Sequence, residues 1–441
     1  MQSHFPPACD LLVTADLILT QDPQRRVLEN GAVAVTGGRI AAIGGREAAL
    51  NTAAGERLDL GPALLMPGLV NAHTHVAMTV FRGLADDLPL MEWLTREIFP
   101  REQHLTPEIV EYGSLLGCAE MIRTGTTAFQ DMYLLEDAVG AAVERCGLRC
   151  VMGEGIFSFG SKAFASLDDT YDLVREQTRR YAAHPRIKVA VMPHAVYTTT
   201  PEILEACRDL AEELGAMLHI HLSETEAEVA QSLELFGKRP VAHAREHGVL
   251  GPRVSIAHGV VLNDEELDVL AESGTRVVHN PRSNMKLASG VAPVPGMLAR
   301  GMLPALGTDG ASSNNALNMF AEMTACALLH KVDRMDPALC GAQDVLDMAT
   351  LGGAAALGWP ELGSLAEGGP ADMIALDLTS PNLQPLYNPA SHLVYAASGH
   401  EARLNMVDGT ILYLDGAYRT LDYPALLDEA RKLRAWALAK R

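Results

Sequence analysis

Pro67-Gly68-Leu69-Val70-Asn71-Ala72-His73-Thr74-His75 reads as a short β-strand ending in two histidines. Residues two apart on a strand point to the same side, so His73 and His75 share a face at the strand's end. The same pattern, an apolar run closed by a polar residue, recurs along the middle of the chain. We place strand ends near His75, Asp131, Glu154, His194, Glu224, His258, Asn280 and Asp309.

Helical stretches lie between these strands. Thr200 reads as an N-cap with Pro201 in the first helical position, and Gly215 ends that helix before Leu218-His219-Ile220-His221-Leu222. Asn263 opens another helix that stops at Gly274. Repeated strand–helix units imply parallel strands. Eight units over roughly 250 residues have the size of a (β/α)8 TIM barrel, in which catalysis sits at the C-terminal strand ends.

The flanks read differently. Ala32–Thr36, Gly37-Gly38 and Arg39–Ile43 form a hairpin signal, and Met406-Val407, Asp408-Gly409 and Thr410–Leu414 form another. We therefore expect residues 1–66 and 369–441 to build one small β-sandwich around a catalytic barrel of residues 67–368.

The chain has 441 residues and a formal net charge of −20, from 55 acids against 35 bases. Such a surface repels a nucleic-acid backbone, so no nucleic-acid partner is expected. No apolar run approaches the roughly 20 residues that span a bilayer, and no leader pattern opens the chain, so no membrane partner is expected either. Seven scattered cysteines without a CxxC pair fit free thiols and a cytoplasmic location.

Imidazole and carboxylate donors suit Zn2+, and a catalytic site leaves one position for water. His73, His75, His221 and Asp309 form the expected ligand set for one ion per chain, Zn2+ first and Fe2+ as the alternative. His219 shares a face with His221 but sits one layer deeper, so it is expected to hydrogen-bond inside the barrel. Lys188 lies at the start of its strand, so no lysine is placed to bridge two ions.

The strings Pro67–His75, His221-Leu222-Ser223-Glu224-Thr225 and Leu306-Gly307-Thr308-Asp309-Gly310 resemble the amidohydrolase superfamily. Arg82–Asp87, Glu92-Trp93-Leu94, His279–Leu287 and Asp309–Asn315 resemble, within it, the methylthioadenosine/S-adenosylhomocysteine deaminases. The resemblance implies hydrolytic deamination of an adenine nucleoside by a homo-oligomeric enzyme. Deamination needs water at C6, a proton at N1 and departure of ammonia. Asp309 can ligate the metal and accept a proton from the water, His258 can hold that water and stabilise charge as it shifts, and Glu224, three residues after His221, can shuttle a proton to the ring. By the same resemblance His194 meets the purine edge, Glu102 accepts from the ribose hydroxyls and Trp93 lines the ribose or thioether side. His279 and Asn280 read as structural support.

One position departs from the pattern. Where relatives that take S-adenosylhomocysteine are expected to offer arginine, this chain has Glu154, with Lys162 nearby. A carboxylate there is expected to repel a charged tail, which favours 5′-methylthioadenosine, then adenosine. A deaminase or hydrolase acting on guanine, a pterin or a triazine shares the metal set and is the nearest rival. A non-catalytic binding protein would be expected to lose ligands that are all present here.

Overall fold

The structure is a computed structural model that describes residues 4–88, 92–159, 164 and 166–440. Eight parallel strands form the barrel: β1 Leu69–Thr74, β2 Thr126–Tyr133, β3 Arg149–Ile156, β4 in two pieces (Ile187–Val189 and Met192–Pro193), β5 Leu218–Leu222, β6 Val254–His258, β7 Arg276–His279 and β8 Ala305–Leu306. β1 to β4 are paired in sequence, as are β5 to β8. Parallel bridges Val191–Leu218 and Ala195–His221 join the two sets.

The ring closes between β8 and β1, where Asp309 N donates to His73 O at 2.9 Å and Thr308 N to Asn71 Oδ1 at 2.9 Å. Gly307 permits this approach, since a Cβ there would lie 2.5 Å from Asn280 Oδ1 and 2.8 Å from His73 N. The closure places Asp309 beside His73, although the two are far apart in sequence. The strand residues are buried almost throughout, as expected for parallel strands covered by helices.

The second sheet has nine strands drawn from both ends of the chain. Strand Ala63–Pro67 pairs antiparallel with Met373–Asp377, and strand Ala8–Leu19 pairs with both Ala53–Asp59 and Ala63–Pro67. Leu11, Val13, Val33, Ile40, Leu65 and Met373 share its apolar core. Both hairpin signals form as expected.

The C-terminal stretch is not strand throughout. Helix Pro389–Tyr395 and the long helix Tyr423–Ala439 pack on barrel helices instead, and Trp436 reaches the ring of Phe81 at 6.1 Å. The buried Leu426, Leu433 and Ala437 fall at helical spacing, which accounts for that difference. All seven cysteines are buried and free. Among the described residues, no helix is long and apolar enough to cross a membrane.

Candidate active site

The C-terminal ends of the barrel strands surround a cavity lined by His75, Glu102, His194, His221, Glu224, His258 and Asp309 among others. At its base the ring of His73 lies 4.9 Å from that of His75 and 4.8 Å from that of His221. Asp309 Oδ1 lies 3.4 Å from His73 Nε2 and 3.2 Å from His75 Nε2.

The backbone sets which nitrogen each histidine presents. A carbonyl can only accept, so His75 Nδ1 donates to Met132 O, and His221 Nδ1 donates to His194 O at 2.8 Å. Both rings therefore offer a bare Nε2. His73 Nδ1 meets His219 Nε2 at 2.9 Å, and His219 Nδ1 meets Ser255 Oγ at 2.7 Å. His219 thus lies one layer down and orients His73. His73 Nε2 is buried and makes no hydrogen bond.

An orphaned nitrogen facing two further bare nitrogens and a carboxylate is the donor set a divalent ion needs. The residues present fit a metal. Three further donors fix the Asp309 carboxylate in place. Its Oδ2 accepts Ser283 Oγ at 2.6 Å and Ser313 Oγ at 2.7 Å, and its Oδ1 accepts Gly310 N at 2.8 Å. Asp131, at the end of β2, accepts Val76 N at 2.6 Å and fixes the turn that follows His75.

Glu224 and His258 stand beside this cluster, with His258 Nε2 3.8 Å from Glu224 Oε2. Burial pushes the Glu224 carboxyl above its ordinary range. His258 Nδ1 lies 2.9 Å from Asn284 Oδ1, which turns its Nε2 toward the cavity. Backbone strain collects at these strand ends, where Ser223, His258 and Asp309 have φ of 56°, 74° and 60°.

Farther out, Glu102, His194, Trp93, Tyr133, Phe157 and Tyr197 line the wall. Burial pushes Glu102 up to about 7, against the pull of the Tyr133 hydroxyl. His194 is held down to about 3 by burial and by neighbouring imidazoles. A row of rings runs outward from the base: His221 to His194 at 4.8 Å, His194 to Phe157 at 4.7 Å and Phe157 to Phe159 at 5.2 Å.

Glu154 does not take the place expected of it. Its neighbour Gly155 lines the cavity, and the strand pleat turns Glu154 to the other side. It is fully buried there, with Oε1 accepting Leu135 N and Oε2 accepting Glu136 N, each at 2.9 Å. A side chain so engaged cannot meet a substrate tail. Lys162 lies outside the described residues.

Phe157 lines the cavity, as the reading of it as an apolar cover for the 5′ group expects; sequence reasoning missed Tyr133, at the end of β2, and Tyr197, neither in a motif, and the serines that hold Asp309. The Ser283 and Ser313 roles had a faint signal, since both belong to polar strings directly after β7 and β8.

Comparison with known proteins agrees with this geometry. The model of the amidohydrolase family matches residues 64–412. A 5-methylthioadenosine/S-adenosylhomocysteine deaminase of Nitratidesulfovibrio vulgaris is 61% identical over 433 residues, 98% of each chain. A 5′-deoxyadenosine deaminase of Methanothermobacter thermautotrophicus is 48% identical over 374 residues, covering 84% of this chain and 87% of that one. Among solved structures, an adenosine deaminase from Xanthomonas campestris with bound zinc superimposes with a TM-score of 0.96 at 38% identity, covering 99% of this chain and 100% of that one.

Proposed function

The chain belongs to the amidohydrolase family, and on that premise we propose that it deaminates an adenine nucleoside hydrolytically. The preferred substrate in this reading is 5′-methylthioadenosine, which would become 5′-methylthioinosine and ammonia; adenosine and 5′-deoxyadenosine follow. The observation that carries it is the convergence of three histidine nitrogens and Asp309 at the base of a cavity that also holds Glu224, His258, His194 and Glu102.

The metal would be zinc, one per chain, held by His73, His75, His221 and Asp309. When bound, such an ion lowers the pKa of water and makes a nucleophile available near neutral pH. Water adds to C6 of the purine. His258 holds the water, and Asp309 accepts a proton from it. Glu224 gives its proton to N1; Asp309 passes the proton taken from water to the amino group, which leaves as ammonia as the C–N bond breaks, and the C6–OH proton returns to Glu224 as C6=O forms. His194 faces the ring edge, and both oxygens of Glu102 accept from the vicinal ribose hydroxyls.

Preference for a neutral 5′ group does not rest on Glu154. It is supported by the wall itself: Trp93, Leu94, Ile98, Phe99, Leu134 and Phe157 are apolar, and none of the described lining residues is lysine or arginine. A carboxylate buried there would lack a cationic partner among the described lining residues. The reading includes a cytoplasmic, homo-oligomeric enzyme whose partner is the small-molecule nucleoside.

The test is kcat/KM on the purified zinc enzyme for 5′-methylthioadenosine, 5′-deoxyadenosine, adenosine, S-adenosylhomocysteine and guanine. Methylthioadenosine should lead S-adenosylhomocysteine by about tenfold or more, a ratio that needs about 1.4 kcal/mol. Turnover of guanine alone would overturn the reading.

A further inference from the structure

Glu228 sits three positions into the helix that follows β5, Glu226–Phe236. The N-cap Thr225 accepts Glu228 N at 3.1 Å. A glutamate in this position ordinarily returns its carboxylate to the N–H of the N-cap itself. Glu228 reaches past it: Oε1 accepts Ser223 N at 2.9 Å and Oε2 accepts Glu224 N at 2.6 Å. It is buried at 4% exposure and has no ion pair among the described residues.

The reason lies in the turn between β5 and the helix. On a straight strand His221 and Glu224 would point to opposite faces. Both line the cavity because Ser223 adopts φ 56°, a left-handed conformation unfavourable for serine. The carbonyl of Ser223 accepts Val260 N at 2.9 Å and Val261 N at 2.8 Å, so the loop after β6 holds one side of this peptide. Glu228 holds the other.

We propose that Glu228 is a positioning residue for Glu224: by accepting both N–H groups of the Ser223–Glu224 turn, it aims the Glu224 carboxyl at the cavity. The inference rests on the reading in which Glu224 carries the proton.

The test uses the metal-loaded enzyme with Glu228→Gln, which can accept one N–H but turns an NH2 toward the other. kcat should fall by about tenfold while KM stays within about twofold, since a small misplacement of an acid–base group slows the chemical step. Metal content should not change. Adding Ser223→Gly should restore part of kcat, because glycine takes this φ freely and the Ser223 hydroxyl has no partner to lose. In a Glu224→Gln background, Glu228→Gln should have no further effect on kcat.

If Glu228→Gln does not fold, Glu228→Asp, which keeps the charge one methylene short, carries the same measurements. Unchanged kcat in a folded variant, or a loss matched by loss of metal, overturns the inference. Glu224→Gln measured alongside separates the two failures. A slow Glu224→Gln with a normal Glu228→Gln sinks only the positioning role, whereas a normal Glu224→Gln sinks the proton-shuttle reading itself.

Discussion

Two helix starts on neighbouring barrel units carry the same chemistry and use it differently. After β6, Asn263 accepts Glu266 N at 2.9 Å and Glu266 returns Oε2 to Asn263 N at 3.0 Å, a closed capping box. Glu266 also holds Arg239, at 2.9 and 2.8 Å. After β5, Thr225 and Glu228 have the same spacing, but the carboxylate goes to the two residues before the cap. The first arrangement ends a strand and begins a helix. The second also orients a residue that faces the cavity. Glu154 repeats the second form from a strand, clamping Leu135, the N-cap at φ 61° of helix Glu136–Cys146, and Glu136 in its first position, beyond Tyr133 and Leu134 of the cavity wall. A carboxylate acceptor is thus assigned to backbone that bends near the site, and the bend decides which N–H groups it receives.

The strongest challenge to this contrast is removal of the metal. Chelation should abolish turnover and zinc should restore it, while far-ultraviolet circular dichroism stays unchanged, because the helix starts do not depend on the ion. Elemental analysis should then give one ion per chain. Loss of helical signal on chelation would mean that the β5 turn is held by the metal and not by Glu228.

Next in size is Glu224→Gln, which should keep the metal and lower kcat by roughly 10²-fold or more, the usual scale of general acid–base help. Turnover close to wild type would leave the β5 turn with nothing to aim.

The comparison itself is sharpened by Glu266→Gln set beside Glu228→Gln. The β6 variant should lose about 1 kcal/mol of stability in denaturant unfolding, the scale of a helix cap, with kcat within about twofold of wild type. The β5 variant should show the kcat loss described above. Equal kcat losses in both would erase the distinction.

The smallest effect is on the pH dependence of stability. Burial pushes Glu228 up to about 7 and Glu154 up to about 8, against the backbone N–H groups that favour the ionised form. Raised carboxyls favour the protonated native state. Their stabilisation is complete below the ordinary value of 4.5 and is lost as pH rises through 7 to 8. The melting temperature should therefore fall less between pH 5 and pH 8 in Glu154→Gln than in wild type.

Much of this can be read directly from the residues. His73, His75, His221 and Asp309 stand out because parallel strands are apolar runs, so a polar residue at the end of one is conspicuous. Thr200-Pro201 and Asn263 mark helix starts by local chemistry alone. Glu154 escapes such a reading because a place near a strand end does not say which face a side chain takes, and the pleat gives the cavity face to Gly155. Glu228 is hidden because Thr-x-x-Glu reads as an ordinary cap. Only the left-handed turn at Ser223 changes what its carboxylate can reach, and no residue type announces that turn. Part of the aromatic wall is hidden for a related reason: Tyr133, at the end of β2, and Tyr197, beyond β4, come from different barrel units and belong to no motif.

The pairing of Ala63–Pro67 with Met373–Asp377 has a consequence for how the molecule is made. During synthesis the N-terminal strands emerge first, yet one edge of their sheet is supplied only after every barrel strand has been translated. Until then, strand Ala63–Pro67 offers open backbone donors and acceptors directly ahead of the histidine pair. The nascent chain must carry that unsatisfied edge through the whole of barrel synthesis, a period in which strand edges are prone to wrong pairing. Arrival of Met373–Asp377 ends the exposure and anchors the entrance to β1, so a strand built after the whole barrel secures the first part of the site.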